Sequence, residues 1–388
     1  MKTKSRERAF ALITVSLAVF VCLLITEGVL RLMEKLPQKL YLDYGDAVDQ
    51  DYNPGGLFKK DFDEEVIDFY GKPVMMKTNS AGFRNEQEFG VNPPGGTVRV
   101  MSIGDSFGGG YRLGQTQTYT YLLEKELNAL GFKVEMPLAL AEDPYGALNY
   151  LRRTGLSYHP DAVLQGITVG NDFLTVTSSV SGMWKRLSEL KLTPECQIPK
   201  TWWNLTKWWA NYGRFHVRVA RLILKPNRAI ASYMGQYREP LAMDGLHGLG
   251  LFLKNPPAEV EKAYEDLFNL IRQYSEELKK KNVPVWFVVF PQRFQVQAED
   301  WQAAIKEYML KPECFDLEKP NRRIMQFCEK EGLACFDPTP GMRQRRITEG
   351  KKLYFPRGDM HWNPDGNRAL ALAILDDLKG KIRQLKSR

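Results

Sequence analysis

Residues 98–110 read VRVMSIGDSFGGG, and this stretch decides the fold. Val98 to Ile103 is a short apolar run that stops at Gly104-Asp105-Ser106, followed by Phe107 and three glycines. An apolar run of that length, ended by turn residues, reads as a strand buried on both faces. A serine placed where a strand turns into a loop has an exposed hydroxyl and backbone N–H groups close by, which is what a nucleophile requires. The tripeptide alone is a weak signal, since an Asx-type turn accounts for it equally well. Asp105 is read as bonding the loop backbone and shaping the turn, in preference to acting as a catalytic acid.

Working outward, the same rhythm recurs. Helical spacing covers about Thr118 to Leu130, a second strand Val134 to Ala141, a helix about Gly146 to Arg153, and a third strand Ala162 to Val169. After a break come a helix at Glu259–Lys281, a strand at Val283–Phe290, a helix near Asn321–Gly332, a short strand at Leu333–Phe336 and a final helix from Pro364 to about Lys379. Short apolar strands alternating with amphipathic helices predict a parallel sheet covered on both faces, a three-layer α/β/α domain over 96–388. Ligands in such folds bind at the carboxyl ends of the strands.

Three further signals fall at those ends. Asp143-Pro144-Tyr145-Gly146 follows the second strand, and its glycine lets a backbone N–H come close to a ligand. Gly170-Asn171-Asp172 follows the third, and a neutral asparagine amide is a good donor to a developing oxyanion. Asp359-Met360-His361-Trp362-Asn363-Pro364 precedes the last helix. A carboxylate two residues before a histidine orients its ring through one nitrogen and leaves the other to take the serine proton.

This set resembles the GDSL/SGNH hydrolase superfamily, whose blocks are named for Ser, Gly, Asn and His. Gly104-Asp105-Ser106-Phe107 matches its first block, Gly146 is the best candidate for the second, Gly170-Asn171-Asp172 matches the third, and Asp359 with His361 the last. The resemblance implies a flavodoxin-like SGNH fold with Ser106 as nucleophile, His361 as general base and Asp359 as its orienter. It also implies an oxyanion hole made by the Ser106 N–H, the Gly146 N–H and the Asn171 side chain. Met360 alone separates Asp from His, and this Asp-x-His-Trp form is similar to the branch containing alginate-type O-acetyltransferases. Around Gly146 the family's usual surroundings are replaced by Glu142-Asp143-Pro144-Tyr145. The leader Asn79-Ser80-Ala81-Gly82-Phe83-Arg84 is similar to that of membrane-tethered bacterial members.

The start of the chain reads differently. Lys2, Lys4, Arg6 and Arg8 precede Ala9 to Thr26, 18 residues without a charge. That length and flank predict an uncleaved transmembrane signal anchor within 1–36, with everything after it on the periplasmic side of an inner membrane. A cleaved signal peptide has a shorter apolar core and a small-residue cleavage site, which is missing after Thr26. Residues 37–95 read as an irregular stalk and leader. Cys22 lies in the membrane segment, and Cys196, Cys314, Cys328 and Cys335 lie beyond it, enough for two disulfides with three connectivities. The clustering of Cys314, Cys328 and Cys335 points to one bridge among them.

Between the third strand and Glu259 a helical insertion, about 175–257, breaks the pattern. Five of the eight tryptophans fall there (Trp184, Trp202, Trp203, Trp208, Trp209), interleaved with Lys200, Lys207, Arg214, Arg218, Arg221 and Lys225. Three readings stand: packing against the sheet, an interfacial amphipathic helix, or a lid with an aromatic platform for a sugar.

With 388 residues, 44% hydrophobic and 26% charged, the chain is neither disordered nor polytopic. Its formal charge of +8 admits an anionic partner, but the export signal argues against nucleic acid. With four histidines and no zinc spacing, neither metal nor other cofactor is expected. The expected activity is a serine esterase or deacylase acting on acyl esters, especially acetyl esters, of envelope or exported glycans. The alternatives are an O-acyltransferase of exported polysaccharide, which would need a membrane partner to deliver the acyl group, and a non-catalytic glycan-binding or scaffold protein.

Overall fold

The computed structural model describes residues 2–33, 42, 44–49, 58–70, 72–173, 196, 248–356 and 359–387. The Trp-rich segment, apart from Cys196 and residues 248–257, lies outside the described residues, and so do its five tryptophans.

The chain divides into two compact units. In the first, Met1–Tyr41 with Phe69–Gly71 and Pro199–Pro240, the main described element is helix α1, Lys2–Met33. Among its described side chains, Ile13, Val15, Leu17, Phe20, Leu24 and Ile25 are exposed. Among the described residues no helix is long and apolar enough to cross a membrane.

The second unit, Leu42–Asp68, Lys72–Ile198 and Leu241–Arg388, holds the sheet. A hairpin comes first, β1 (Asp63–Ile67) antiparallel to β2 (Pro73–Lys77). Then follow β3 (Val98–Gly104), β4 (Val134–Glu135), β5 (Leu138–Leu140), β6 (Ala162–Thr168), β7 (Val285–Phe290) and β8 (Ala334–Phe336). All five pairings among these six strands are parallel. β3 has β4 and β5 on one side and β6, β7 and β8 in turn on the other. If β4 and β5 are counted as one strand, the order by chain position is 2-1-3-4-5, the flavodoxin-like doubly wound arrangement. Its switch point lies between β3 and β6, the two strands that lead into Ser106 and Asn171.

The expected strand at 134–141 is broken in the middle. Pro137 has no N–H to donate, and the Met136 N–H turns to the Glu124 carboxylate at 2.7 Å. Val98 opposite Val134 and Ser102 opposite Leu138 show that the register runs straight through the break.

The helices are α2 (Tyr119–Ala129), α3 (Pro144–Arg153), α4 (Ala258–Lys279), α5 (Arg293–Val296), α6 (Ala298–Tyr308), α7 (Lys319–Glu331), α8 (Thr339–Glu349) and α9 (Pro364–Lys386). β7 shows why two layers of them are needed. Val285, Phe287 and Val289 enter one buried cluster with α3, α4 and α7, whereas Trp286, Val288 and Phe290 enter another with α2, α8 and α9. In α4 the buried positions Val260, Ala263, Tyr264, Leu267, Leu270, Ile271, Tyr274 and Leu278 follow helical spacing, one apolar stripe facing the sheet. Each fully buried large side chain there contributes roughly 1.5–3 kcal/mol.

The described part of 42–97 is not a loose stalk. Tyr44, Ala47, Phe58, Val66 and Met76 are buried together with Leu140 of β5. Its apolar residues are too sparse in sequence to show a period, and they meet only because the hairpin folds them together.

Two disulfides join Cys196 to Cys314 and Cys328 to Cys335. The second is the bridge expected within the cysteine cluster. The first closes a separation of 118 residues, which in the chain-entropy picture restrains the unfolded chain by about 4–5 kcal/mol.

Candidate active site

Ser106 sits in the turn where β3 ends. The Gly109 N–H donates to the Asp105 carbonyl (2.7 Å) and the Tyr111 N–H to the Ser106 carbonyl (2.9 Å), folding the glycine-rich segment back on itself. Gly108 allows this approach, since a Cβ there would lie 2.8 Å from the Gly104 Cα. Asp105 Oδ1 accepts the Phe107 N–H at 2.9 Å, the turn-shaping bond expected of it.

His361 arrives from the other end of the unit, in the segment before α9. Asn363 caps that helix by accepting the Gly366 N–H at 2.9 Å, and Pro364 fills its first turn. Upstream the Phe355 N–H donates to the His361 carbonyl (3.0 Å) and the Asn363 N–H to the Leu353 carbonyl (3.1 Å), so both sides of the loop are tied.

The chain of contacts then closes. His361 Nε2 is 2.8 Å from Ser106 Oγ, and Nδ1 is 2.8 Å from Asp359 Oδ1. The same carboxylate oxygen accepts the His361 backbone N–H at 2.7 Å, so a single intervening residue suffices for the orienting bond. With Nδ1–H donating to the carboxylate, Nε2 presents its lone pair to the serine hydroxyl; these partners assign the tautomer. Burial pushes the Asp359 carboxyl up. The His361 hydrogen bond and charge, its backbone N–H and the Arg112 charge outweigh that and hold the group below the usual carboxylate range.

Asn171 follows β6 through Gly170, whose φ of +99° lies in the region that favours glycine. Its side-chain NH2 donates one hydrogen to Asp105 Oδ2 at 2.9 Å. One carboxylate therefore bridges the nucleophile turn and the asparagine. Burial pushes the Asp105 carboxyl up, opposed chiefly by hydrogen bonds from Asn171 and Thr168. Asp172, buried next to it, is pushed well above the usual range by burial and then by the Asp105 and Asp143 charges.

Gly146 requires a correction. Its N–H donates to Asp143 Oδ1 at 2.7 Å, the N-cap bond of α3, and so it is committed to the helix rather than presented to a ligand. Asp143 followed by Pro144 is a helix-start signal that places the glycine third in the helix, and this could have been read from sequence. Ser106 and Asn171 are linked through Asp105, the residue before the serine, which accepts from the Asn171 amide.

Residues 251–388, which include Asp359 and His361, match the family described as ALGX: SGNH hydrolase-like domain, acetyltransferase AlgX. Over that stretch the chain is similar to an SGNH hydrolase-like domain. No curated protein matches its sequence. Among solved structures it is similar to the acetyl xylan esterase AlAXEase (12% identity, 72% of this chain and 99% of that one, TM-score 0.36). It is also similar to a lipase/acylhydrolase from Enterococcus faecalis (13% identity, 73% and 96%, TM-score 0.36). A third is a catalytic variant of Axe2, an acetylxylan esterase from Geobacillus stearothermophilus (12% identity, 72% and 93%, TM-score 0.36).

Several supports of this site come from segments that no spacing rule links to it. Arg293, at the start of α5, donates to the Asp359 carbonyl at 2.6 Å and pairs with Asp300 at 3.0 Å. Arg84 of the leader is buried and donates to the carbonyls of Gly109, Gly110 and Leu113, in the loop that follows Ser106. Burial lowers its pKa to about 10. Phe107 and Tyr111 flank the His361 ring. Among the described residues no group of three or more His, Cys, Asp or Glu is placed to hold a metal ion. Chemically, the site suits attack of a serine on an ester carbonyl, the first step of an ester hydrolase and of an O-acyltransferase alike.

Proposed function

We propose that the protein is a membrane-anchored SGNH serine esterase acting outside the cytoplasm on acyl esters, above all acetyl esters of envelope or exported glycans. The observation that carries the chemistry is the unbroken Ser106–His361–Asp359 chain, with 2.8 Å at both links.

The steps follow from those contacts. Ser106 Oγ attacks the ester carbonyl carbon while its proton passes to His361 Nε2. The imidazolium is stabilised by ionised Asp359, and the carbonyl oxygen becomes an oxyanion facing the Ser106 N–H and the Asn171 amide. On collapse the carbon–oxygen bond to the leaving alcohol breaks, and His361 returns its proton to that oxygen. Acyl-Ser106 remains. Water, deprotonated by His361, then releases the acid and restores the serine.

A second reading is favoured by the match to the AlgX acetyltransferase family over 251–388. Here a sugar hydroxyl replaces water, and the product is an acylated glycan. Both routes share acyl-Ser106, so the acceptor decides. Incubated with an activated acetyl ester, the full chain should release acetate at a rate that added glycans do not change. Acetyl appearing on an added glycan, and lost in Ser106→Ala, would replace hydrolysis by transfer.

The anchor rests on sequence: four cations before an uncharged 18-residue stretch. Two disulfides fit an oxidising compartment. Membranes washed with alkaline carbonate should retain the full chain; release into the wash would contradict the anchor.

A further inference from the structure

The loop after Ser106 supplies more than the nucleophile. Phe107 and Tyr111 both place their rings against the His361 imidazole, with centroids 4.6 Å and 4.3 Å away and planes tilted by 38° and 30°. We propose that these two rings form an aromatic clamp that positions His361 and stabilises its protonated form as the Ser106 proton arrives. The inference rests on the acyl-transfer reading above and assigns the two residues as positioning residues for that reaction.

The physics is that of a cation close to two π systems. An aromatic face carries negative quadrupolar charge, so it attracts an imidazolium more than the neutral ring. The transition state holds the proton on His361 and the ground state does not. An attraction of this kind therefore lowers the barrier instead of merely tightening substrate binding. Two tilted ring contacts also restrict ring rotation, which keeps Nε2 on Ser106 Oγ and Nδ1 on Asp359.

Each half of the clamp is itself braced. Phe107 is buried and packs edge-on against Trp362 at 5.1 Å. Tyr111 packs edge-on against Tyr44 at 5.1 Å, and Arg84 bonds the carbonyls of Gly109, Gly110 and Leu113 on either side of it. Tyr44 and Arg84 both come from the segment before β3. Thus the hairpin region, remote in sequence from His361, reaches its ring through Tyr111.

Other charges act on the same ring. Asp359 bonds the ring, the Asp105 charge acts on it, and the Arg112 guanidinium carbon lies 5.1 Å from the Tyr111 centroid. Arg293, held by Asp300, bonds the Asp359 carbonyl from the α5 side. The rings contribute on top of this ionic balance and, being uncharged, add no desolvated charge to the site.

Tyr111 is only partly buried, so it can be changed without opening a core cavity. In the full chain acting on p-nitrophenyl acetate, Tyr111→Leu should lower kcat about tenfold with KM within about twofold, while Tyr111→Phe should stay within about twofold in both. If Tyr111→Leu fails to unfold cooperatively, Tyr111→Met takes its place. An unchanged kcat in the aliphatic variant, a loss confined to KM, or a Tyr111→Phe variant as slow as Tyr111→Leu would each overturn the clamp. Carbethoxylation of His361 by diethyl pyrocarbonate, read by peptide mass spectrometry, needs no turnover. It should be several-fold faster in the aliphatic variant than in wild type, and an equal rate would also overturn the clamp. A wild-type chain that hydrolyses no ester would sink the proposed function, and the modification rate would then judge the clamp alone.

Discussion

His361→Ala lowers kcat for an activated acetyl ester by about three to six orders of magnitude, and Ser106→Ala does the same. The expectation comes from the way the two groups act as one unit. Without His361, Ser106 Oγ has no acceptor for its proton, and a neutral alcohol attacks a carbonyl too slowly to compete. Without Ser106, the imidazole has no proton to take. The double variant should therefore be about as slow as either single one, because each substitution already removes the whole unit. Steady-state hydrolysis of p-nitrophenyl acetate by the folded variants checks this. Wild-type-like turnover in His361→Ala would remove the histidine from the mechanism.

The second large effect is expected at Asn171. Asn171→Ala should reduce kcat by about two to three orders of magnitude with a much smaller change in KM, since an oxyanion donor acts on charge that develops in the transition state. Part of the loss has a local cause. Asp105 is buried and its Oδ2 accepts from the Asn171 amide, so removing that amide leaves a carboxyl, already pushed up by burial, with one fewer donor. A stability loss of about 1–3 kcal/mol should accompany the kinetic one. Asn171→Asp separates the two, because it keeps the shape but replaces the donor by a second acid beside Asp105. A kcat equal to wild type in either variant would mean that the oxyanion is held elsewhere.

The site was legible in sequence where one short segment fixes its own geometry. Ser106 follows a fully buried, mostly apolar strand, and Asp359 and His361 are two residues apart just before a helix whose Asn363-Pro364 start is plain to read. Even the separation by Met360 alone, a departure within the family resemblance, closes properly because one carboxylate oxygen takes both the ring and the backbone N–H of His361. Gly146 failed for a reason equally local: its N–H was claimed by Asp143, three residues back.

What sequence could not give is whatever depends on distant segments meeting. Arg84, Tyr44 and Tyr111 lie apart in the chain, and Arg293 lies 66 residues before the carbonyl it bonds. No spacing rule links them. The hairpin of β1 and β2 has no readable period for the same reason, because its Val66 and Met76 are buried against the distant Tyr44, Ala47, Phe58 and Leu140. The strand order itself was reachable only in outline: alternation predicts a parallel sheet, but the place of β3 between β5 and β6 sets the switch point after which Ser106 and Asn171 follow their strands.

The central claim is that Ser106 is a nucleophile activated by His361. Its most direct measurement is covalent labelling of the full chain with a fluorophosphonate probe, the adduct located by peptide mass spectrometry. The account predicts one modified residue, Ser106, with labelling nearly abolished in His361→Ala. No adduct on the folded wild-type protein, or an adduct on a different serine, would contradict it.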